Sequence, residues 1–237
     1  VFYVDTHLVG TLNNFTTHNL KLVDKNQSEI VGTANFRNLF GKGNQEFYMK
    51  GNFDRITSNY EDLKSILPRI LGNNLPSVLA KLGNVNIAGD VELTQKYINA
   101  DVSMLSQLGY LEGNLAMQNI NNIDNAFYQG NIKLDAFDLG TLLSEKEIGK
   151  ATLDLDVDGK GFTQKLLNTA IKGKIDKFYY NGYNYQNITV DGSMKMPYYK
   201  GYFNSNEPNL KMDFDGTIDL SLKAKNYDFK AQIDYAD

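Results

Sequence analysis

Apolar and polar side chains alternate with a period of two along most of this chain. That pattern admits little besides β-strands with one buried face. Between Leu210 and Leu222, the residues Leu210, Met212, Phe214, Ile218, Leu220 and Leu222 share one parity with Gly216. Lys211, Asp213, Asp215, Thr217, Asp219 and Ser221 hold the other. Val85, Ile87, Val91 and Leu93 alternate with Asn86, Asp90 and Glu92, and Leu111, Leu115 and Met117 with Glu112, Asn114 and Gln118. Leu153, Leu155 and Val157 alternate with Asp154, Asp156 and Asp158, and Phe229, Ala231, Ile233 and Tyr235 close the chain in the same manner. Parallel strands covered on both faces read as continuous apolar runs, so this is antiparallel sheet.

Glycine recurs inside these strands in a loose phrase: Ala88-Gly89-Asp90, Glu112-Gly113-Asn114, Gln129-Gly130-Asn131, Lys172-Gly173-Lys174, Asp191-Gly192-Ser193, Lys200-Gly201-Tyr202 and Asp215-Gly216-Thr217. Glycine within a strand marks a bulge, a bend or a close backbone approach, and repeated along a meander it lets a sheet curl across its strands. Asn-rich connections such as 119–125 supply turns. One stretch breaks the pattern. From Ser58 to Leu82, Tyr60, Leu63, Ile66, Leu67, Ile70 and Leu71 follow helical spacing, with Ser58 or Asn59 as cap and Glu61 and Asp62 in the first turn. Pro68 kinks or ends that helix, Pro76 opens a second short one, and Gly83 ends it. Further short helical turns are expected at 139–143 and 163–168. Ten to fourteen one-sided strands with so little helix leave an apolar face uncovered. That face meets a second sheet, closes into a barrel, or curls into a trough around something apolar.

Composition removes several classes of function. The 237 residues contain no Cys, which excludes disulfides, Cys-zinc sites and thiol nucleophiles, and only two His. A net charge of −4 and a pI near 5.3 argue against a nucleic-acid surface. Asp154-Leu155-Asp156-Val157-Asp158-Gly159 imitates the start of a calcium loop, but Lys165 stands where such a loop wants a bidentate Glu. A solvated strand face accounts for these aspartates, and for Asp213 and Asp215. His7 and His18 are positioned to pair across a hairpin, without a carboxylate or Cys cluster beside them. Gly41-Lys42-Gly43 is a turn, not a phosphate cradle. The aromatic run from Phe178 to Tyr185 reads as a hairpin with cross-strand Tyr pairs about Asn181-Gly182, and carbohydrate stacking is its alternative. No enzyme, metal or cofactor is indicated.

The stretch from Phe178 to Leu222 carries a resemblance. Its phrases are Asn181-Gly182-Tyr183-Asn184-Tyr185-Gln186-Asn187-Ile188, Val190-Asp191-Gly192, Tyr199-Lys200-Gly201, Glu207-Pro208-Asn209-Leu210 and Phe214-Asp215-Gly216. Together with Phe137-Asp138-Leu139-Gly140-Thr141-Leu142-Leu143 and Leu75-Pro76-Ser77-Val78-Leu79-Ala80-Lys81-Leu82-Gly83, they are similar to the TamB (translocation and assembly module) family of the AsmA-like superfamily, in its divergent long form. The likeness spans roughly residues 10 to 222, spread over many weak phrases, and departs from the family where Glu207 stands in place of Asp. It implies a periplasmic segment of an inner-membrane-anchored envelope protein. Such a segment is a long curled β-sheet whose apolar lumen carries phospholipid acyl chains toward the outer membrane. The far end of the whole protein meets an Omp85-type outer-membrane barrel protein, through regions beyond this segment. The start at Val1 and the stop at Asp237, directly after a strand-like run, lead to the expectation of a middle fragment whose sheet edges pair with adjoining segments of its own chain.

The expected architecture is all-β with minor α, an elongated, curled antiparallel sheet forming a groove. It is divided into N-terminal strands (1–57), a helical insert (58–82) that covers the trough mouth or packs against its rim, as a structural cap rather than a moving gate, and a continuing groove (83–237). The alternating residues Val85, Ile87, Val91, Leu93, Leu111, Leu115, Met117, Leu153, Leu155, Val157, Leu210, Met212, Phe214, Ile218, Leu220, Phe229 and Ile233 are its candidate lining. Ile98, Val102, Ile132, Leu134, Ile171, Ile175, Ile188 and Val190 complete the set. The expected function is a non-enzymatic phospholipid conduit supporting outer-membrane biogenesis. Two alternatives stand beside it: a scaffold whose strand edge templates outer-membrane β-barrel strands, and a secreted β-sandwich or solenoid with a dry core.

Overall fold

The computed structural model of the protein describes residues 2–40, 46–66, 75, 77–120, 122, 125–161, 166–195, 197–219 and 226–236. Fourteen strands follow one another in chain order; every strand pair with a resolved register is antiparallel, and the run does not close into a barrel. The chain forms two compact units, Val1–Ile123 and Asp124–Asp237. No helix among the described residues is long and apolar enough to cross a membrane.

The first unit holds β1 (Phe2–Thr11), β2 (Asn14–Asp24), β3 (Glu29–Arg37), β4 (Tyr48–Ser58), β5 (Val85–Thr94), β6 (Tyr97–Ser106) and β7 (Gly109–Gln118). The helical insert lies between neighbours, because β4 and β5 pair directly from Ser58↔Val85 to Tyr48↔Thr94. It contains α1 (Tyr60–Ile66) and a 3-10 helix at Ser77–Leu82. Leu67, Pro68, Ile70, Leu71 and Pro76, which the helical spacing used, lie outside the described residues. Asn59 is the cap, its Oδ1 accepting from the Asp62 amide at 3.0 Å. The Ser58 hydroxyl instead shares a 3.0 Å hydrogen bond with that of Ser28.

A buried carboxylate ties α1 to the sheet. Asp62 accepts from Asn26 Nδ2 at 2.6 Å, Asn59 Nδ2 at 2.7 Å and Ser28 Oγ at 2.9 Å. The Asn26 hydrogen bond, with those of Ser28 and Asn59 and the charge of Lys25, holds the Asp62 carboxyl below its ordinary value of 3.8 against the opposing effect of burial. A carboxylate whose folded pKa is depressed stabilises the fold above its unfolded pKa, and that contribution is lost as pH falls through the lower folded value. Asp62→Asn is therefore expected to cost about 2 kcal/mol at pH 7, where a charged acceptor is replaced by a neutral one. In urea unfolding the gap from wild type should close as pH drops below 3.8. A gap of unchanged size at pH 3 contradicts this account.

In the second unit are β8 (Phe127–Asp138), α2 (Leu139–Leu143), β9 (Ile148–Lys160), β10 (Asn168–Tyr180), β11 (Tyr183–Lys195), β12 (Tyr198–Glu207), β13 (Leu210–Asp219) and β14 (Asn226–Ala236). The short helix expected at 139–143 is present, capped by Asp138, whose Oδ1 accepts from the Thr141 amide at 2.9 Å. The turn expected at 163–168 falls largely outside the described residues, and Asn168 instead opens β10. Asn181 and Gly182 have φ of 47° and 87°, as a two-residue hairpin of type I′ demands. Phe178 faces Tyr185 and Tyr180 faces Tyr183 across it, the cross-strand pairs the aromatic run predicts. β13 ends at Asp219, so Leu220 and Leu222 lie outside the described residues.

Glycine permits the close approach of neighbouring strands. At Gly89 φ is +130°, and a Cβ there would run into the carbonyl oxygen of Asp101 and lie 2.9 Å from Val102 Cα. Gly192, Gly201 and Gly216 stand in register across β11, β12 and β13, and a Cβ on Gly201 would overlap the Gly192 backbone. A side chain at any of the three would force the neighbouring backbones apart, which is why glycine is kept there.

Candidate functional site

Register places the candidate lining residues on one face of each unit. In the first, Val91 pairs with Ala100 and Ala100 with Leu115, Leu93 with Ile98 and Ile98 with Met117. Ile87, Met104 and Leu111 form the next row, Gly89, Val102 and Gly113 the one between, and Val85 shares their parity at the start of β5. In the second unit Ile132, Leu155 and Gly173 form one row, Leu134, Leu153, Ile175 and Ile188 another, and Val157 faces Ile171. Val190 pairs with Phe203, which pairs with Phe214; Met212 faces Ile233, and Gly216 faces Phe229. Ile218 and Leu210 complete the inner parity of β13. Leu220 lies outside the described residues. Tyr235, which continues the alternation of β14 in the sequence, faces Lys211 on the polar side, because an irregularity between Lys211 and Met212 shifts the register of β14. Phe229 and Ile233 are exposed, β14 having a resolved partner on one side alone.

The inner face of the first unit curls around an apolar groove of about 500 Å³. Of the candidates, Val91, Leu93 and Ile98 line it. Most of the rest comes from strands the alternation passed over: Val4, Thr6 and Leu8 on β1, Phe15, Thr17, Leu20 and Leu22 on β2, Ile30 and Phe36 on β3, and Met49, Phe53 and Ile56 on β4. Leu63 of α1 borders it from one set of strand ends and Leu39 and Phe40 from the other. Of the described residues of the insert, Leu63 is the one at the groove. Ala34, Phe47, Met49, Phe53, Leu93 and Ile120 form the packed core at its base.

A bulge explains why these strands escaped a strict period of two. Between Thr17 and Leu20, β2 carries one residue more than β3, with Asn19 at φ 52°, so Phe15 and Thr17 have one parity and Leu20 and Leu22 the other, all facing inward. β4 does the same between Phe53 and Ile56. β8 does so between Leu134 and Phe137, where Ala136 has φ 46° and Phe137 arrives inside at 1% exposure. Each extra residue flips every later side chain to the opposite face.

Polar groups hold the outer face. Asp154, Asp156 and Asp158 are exposed; Asn131 Nδ2 donates to the first two at 2.8 and 3.0 Å, and Lys133 lies 3.9 Å from Asp154. They form part of a solvated ladder with Lys172 and Lys174 across the strand. His7 and His18 are register partners with ring centroids 6.1 Å apart. No group of three or more metal-ligating side chains occurs among the described residues. On the inner face of the second unit, burial pushes the phenols of Tyr128 and Tyr199 above their ordinary value of 10.0. Tyr183 is pushed up as well, chiefly by its hydrogen bond to the Glu207 carboxylate.

No family model matches the chain, and neither the curated proteins nor the solved structures contain a significant match to it.

Proposed function

We propose that this chain is a segment of a TamB-like hydrophobic conduit that moves phospholipids between inner and outer membranes, each unit offering acyl chains its apolar inner face. The observation that carries this reading is the groove of about 500 Å³ in the first unit, lined almost wholly by aliphatic and aromatic side chains. A packed globular core leaves no such space, and a contiguous apolar surface of this extent marks a binding site. Taking a methylene as about the size of a water, roughly 30 Å³, the groove admits one acyl chain of ordinary length. Each methylene moved there from water contributes about 0.8 kcal/mol, so a bound chain is held firmly while its head group stays at the rim. The function needs no catalytic residue, and the proposed setting is the periplasm, with an Omp85-type barrel as the partner of regions beyond this segment. Mass spectrometry of lipid extracted from the purified protein tests the proposal: phospholipid in near-stoichiometric amount is expected, and lipid-free protein from a lipid-rich lysate refutes it.

The open edges favour a second reading. The described residues of β1 pair on one side alone, and every described residue of β14 is exposed. Such edges template further strands, in keeping with a scaffold for outer-membrane barrel strands. Crosslinks from β14 to a nascent barrel strand, with no lipid on the inner face, would favour it over the conduit.

A further inference from the structure

At the end of the second unit where β10 turns into β11 and β12 into β13, the inner face changes character. Phe178, Tyr180, Tyr183 and Tyr185 take over from the aliphatic residues of the strand centres. Glu207, the last residue of β12, keeps the inward parity of Phe203 and Ser205. It is a carboxylate in an apolar lining, and only 5% of its surface is exposed. Its Oε2 accepts from the Tyr183 hydroxyl at 2.7 Å, and that hydroxyl accepts in turn from Asn209 Nδ2 at 2.8 Å. Its Oε1 is buried and has no hydrogen-bond partner among the described residues. None of the ion pairs among the described residues involves Glu207.

A buried carboxylate oxygen without a donor is among the costliest groups a fold can keep. The chemistry that best completes it is a charged N–H donor, which gives a short charge-assisted hydrogen bond and neutralises the group. The aromatic company points the same way. The rings of Tyr183 and Tyr185 meet edge to face with centroids 4.7 Å apart, and aromatic faces attract cations. A dissolved cation gains little by leaving water for a shielded oxygen. An ammonium group carried by a molecule whose tail already lies on the inner face loses its hydration with the tail's burial as compensation.

Resting on the lipid reading above, we propose that Glu207, with Tyr183 and Tyr185, recognises the primary ammonium head group of a phospholipid whose acyl chain lies on the inner face of the second unit. A primary ammonium supplies both the charge and the N–H donors that Oε1 lacks. A choline group has the charge without a donor, and a glycerol group has donors without the charge.

The test offers the purified 237-residue chain an equimolar mixture of ethanolamine, choline and glycerol phospholipids with identical acyl chains, and quantifies bound lipid by mass spectrometry. Wild type is expected to enrich the ethanolamine lipid about fivefold over each of the others. Glu207→Gln, which keeps size and shape and removes the buried charge, should bind the same total lipid with no enrichment and melt no lower than wild type. Tyr183→Phe, which leaves Glu207 charged, should retain part of the preference. Equal binding of the three lipids by wild type, enrichment of the glycerol or choline lipid, or a Glu207→Gln protein with unchanged preference overturns the head-group assignment and leaves the conduit standing. Wild type that binds none of the three overturns the conduit and the head-group site together.

Discussion

Arginine in place of Val91 should lower lipid binding by the first unit at least a hundredfold while leaving the sheet folded. Val91 lines the groove, and its register partners on either side are Gly51 and Ala100, the smallest side chains available. The aliphatic stem of an arginine therefore has room, and its guanidinium reaches into the space an acyl chain would occupy. Displacing three or four methylenes from the groove costs about 3 kcal/mol, which is two orders of magnitude in affinity. Val91 is itself only partly buried, so the fold loses little when it changes. Asn99→Arg, one residue from Ile98 on the exposed outer face, is the control and should bind lipid as wild type does. A folded Val91→Arg protein with a full lipid load would sink the conduit. The same logic applies to Val157→Arg and Phe214→Arg, which in the full-length protein should block passage and leave the outer membrane unsupported.

Phe53→Ala should be the most damaging truncation in the first unit, at about 4 kcal/mol, near the top of the range for a buried phenylalanine. Only 6% of Phe53 is exposed, and it belongs to the core with Met49, Leu93 and Phe47. Its register partners are both glycines, Gly32 on β3 and Gly89 on β5, and its ring lies over a third, since a Cβ on Gly51 would come within 2.6 Å of its Cζ. None of the three has a side chain that can move into the void, so the cavity stays open. Phe229→Ala is the contrast: 47% of that side chain is exposed on β14, and its loss should cost less than about 1 kcal/mol. Urea unfolding measures both. Similar losses for the two variants would show that Phe53 does not anchor the core.

Much of this architecture is legible without coordinates, for a local reason. The period of two is a property of the backbone itself, so long unbroken runs such as Leu153 to Val157 declare strand, face and antiparallel pairing at once. The Asn181-Gly182 turn and the helical spacing from Tyr60 are local in the same sense. The inward residues of β5 to β7, of β9 to β11 and of β13 could be read from their parity alone. β2 and β4, and β8 beyond Leu134, could not be read so, because in each a single extra residue reverses the parity partway along. Phe53 and Ile56 look like residues of opposite faces, and so do Leu134 and Phe137, although each pair ends on the same side. An unusual residue at the bulge, such as Asn19 or Ala136 at positive φ, is a faint signal beside the alternation it interrupts.

The sequence by itself determined that this chain is antiparallel sheet whose apolar and polar residues take opposite faces. That property follows from spacings of a few residues. Tertiary structure alone decided where the groove lies, because a cavity depends on how strands distant in the chain curl toward one another. Val4 on β1 and Ile98 on β6 line the same space, though 94 residues separate them. It also decided that Glu207, an ordinary polar residue before a turn in the linear chain, stands buried on an apolar face with half its carboxylate unmatched. Burial and hydrogen-bond satisfaction are relations among side chains brought together by the fold, and no local pattern encodes them.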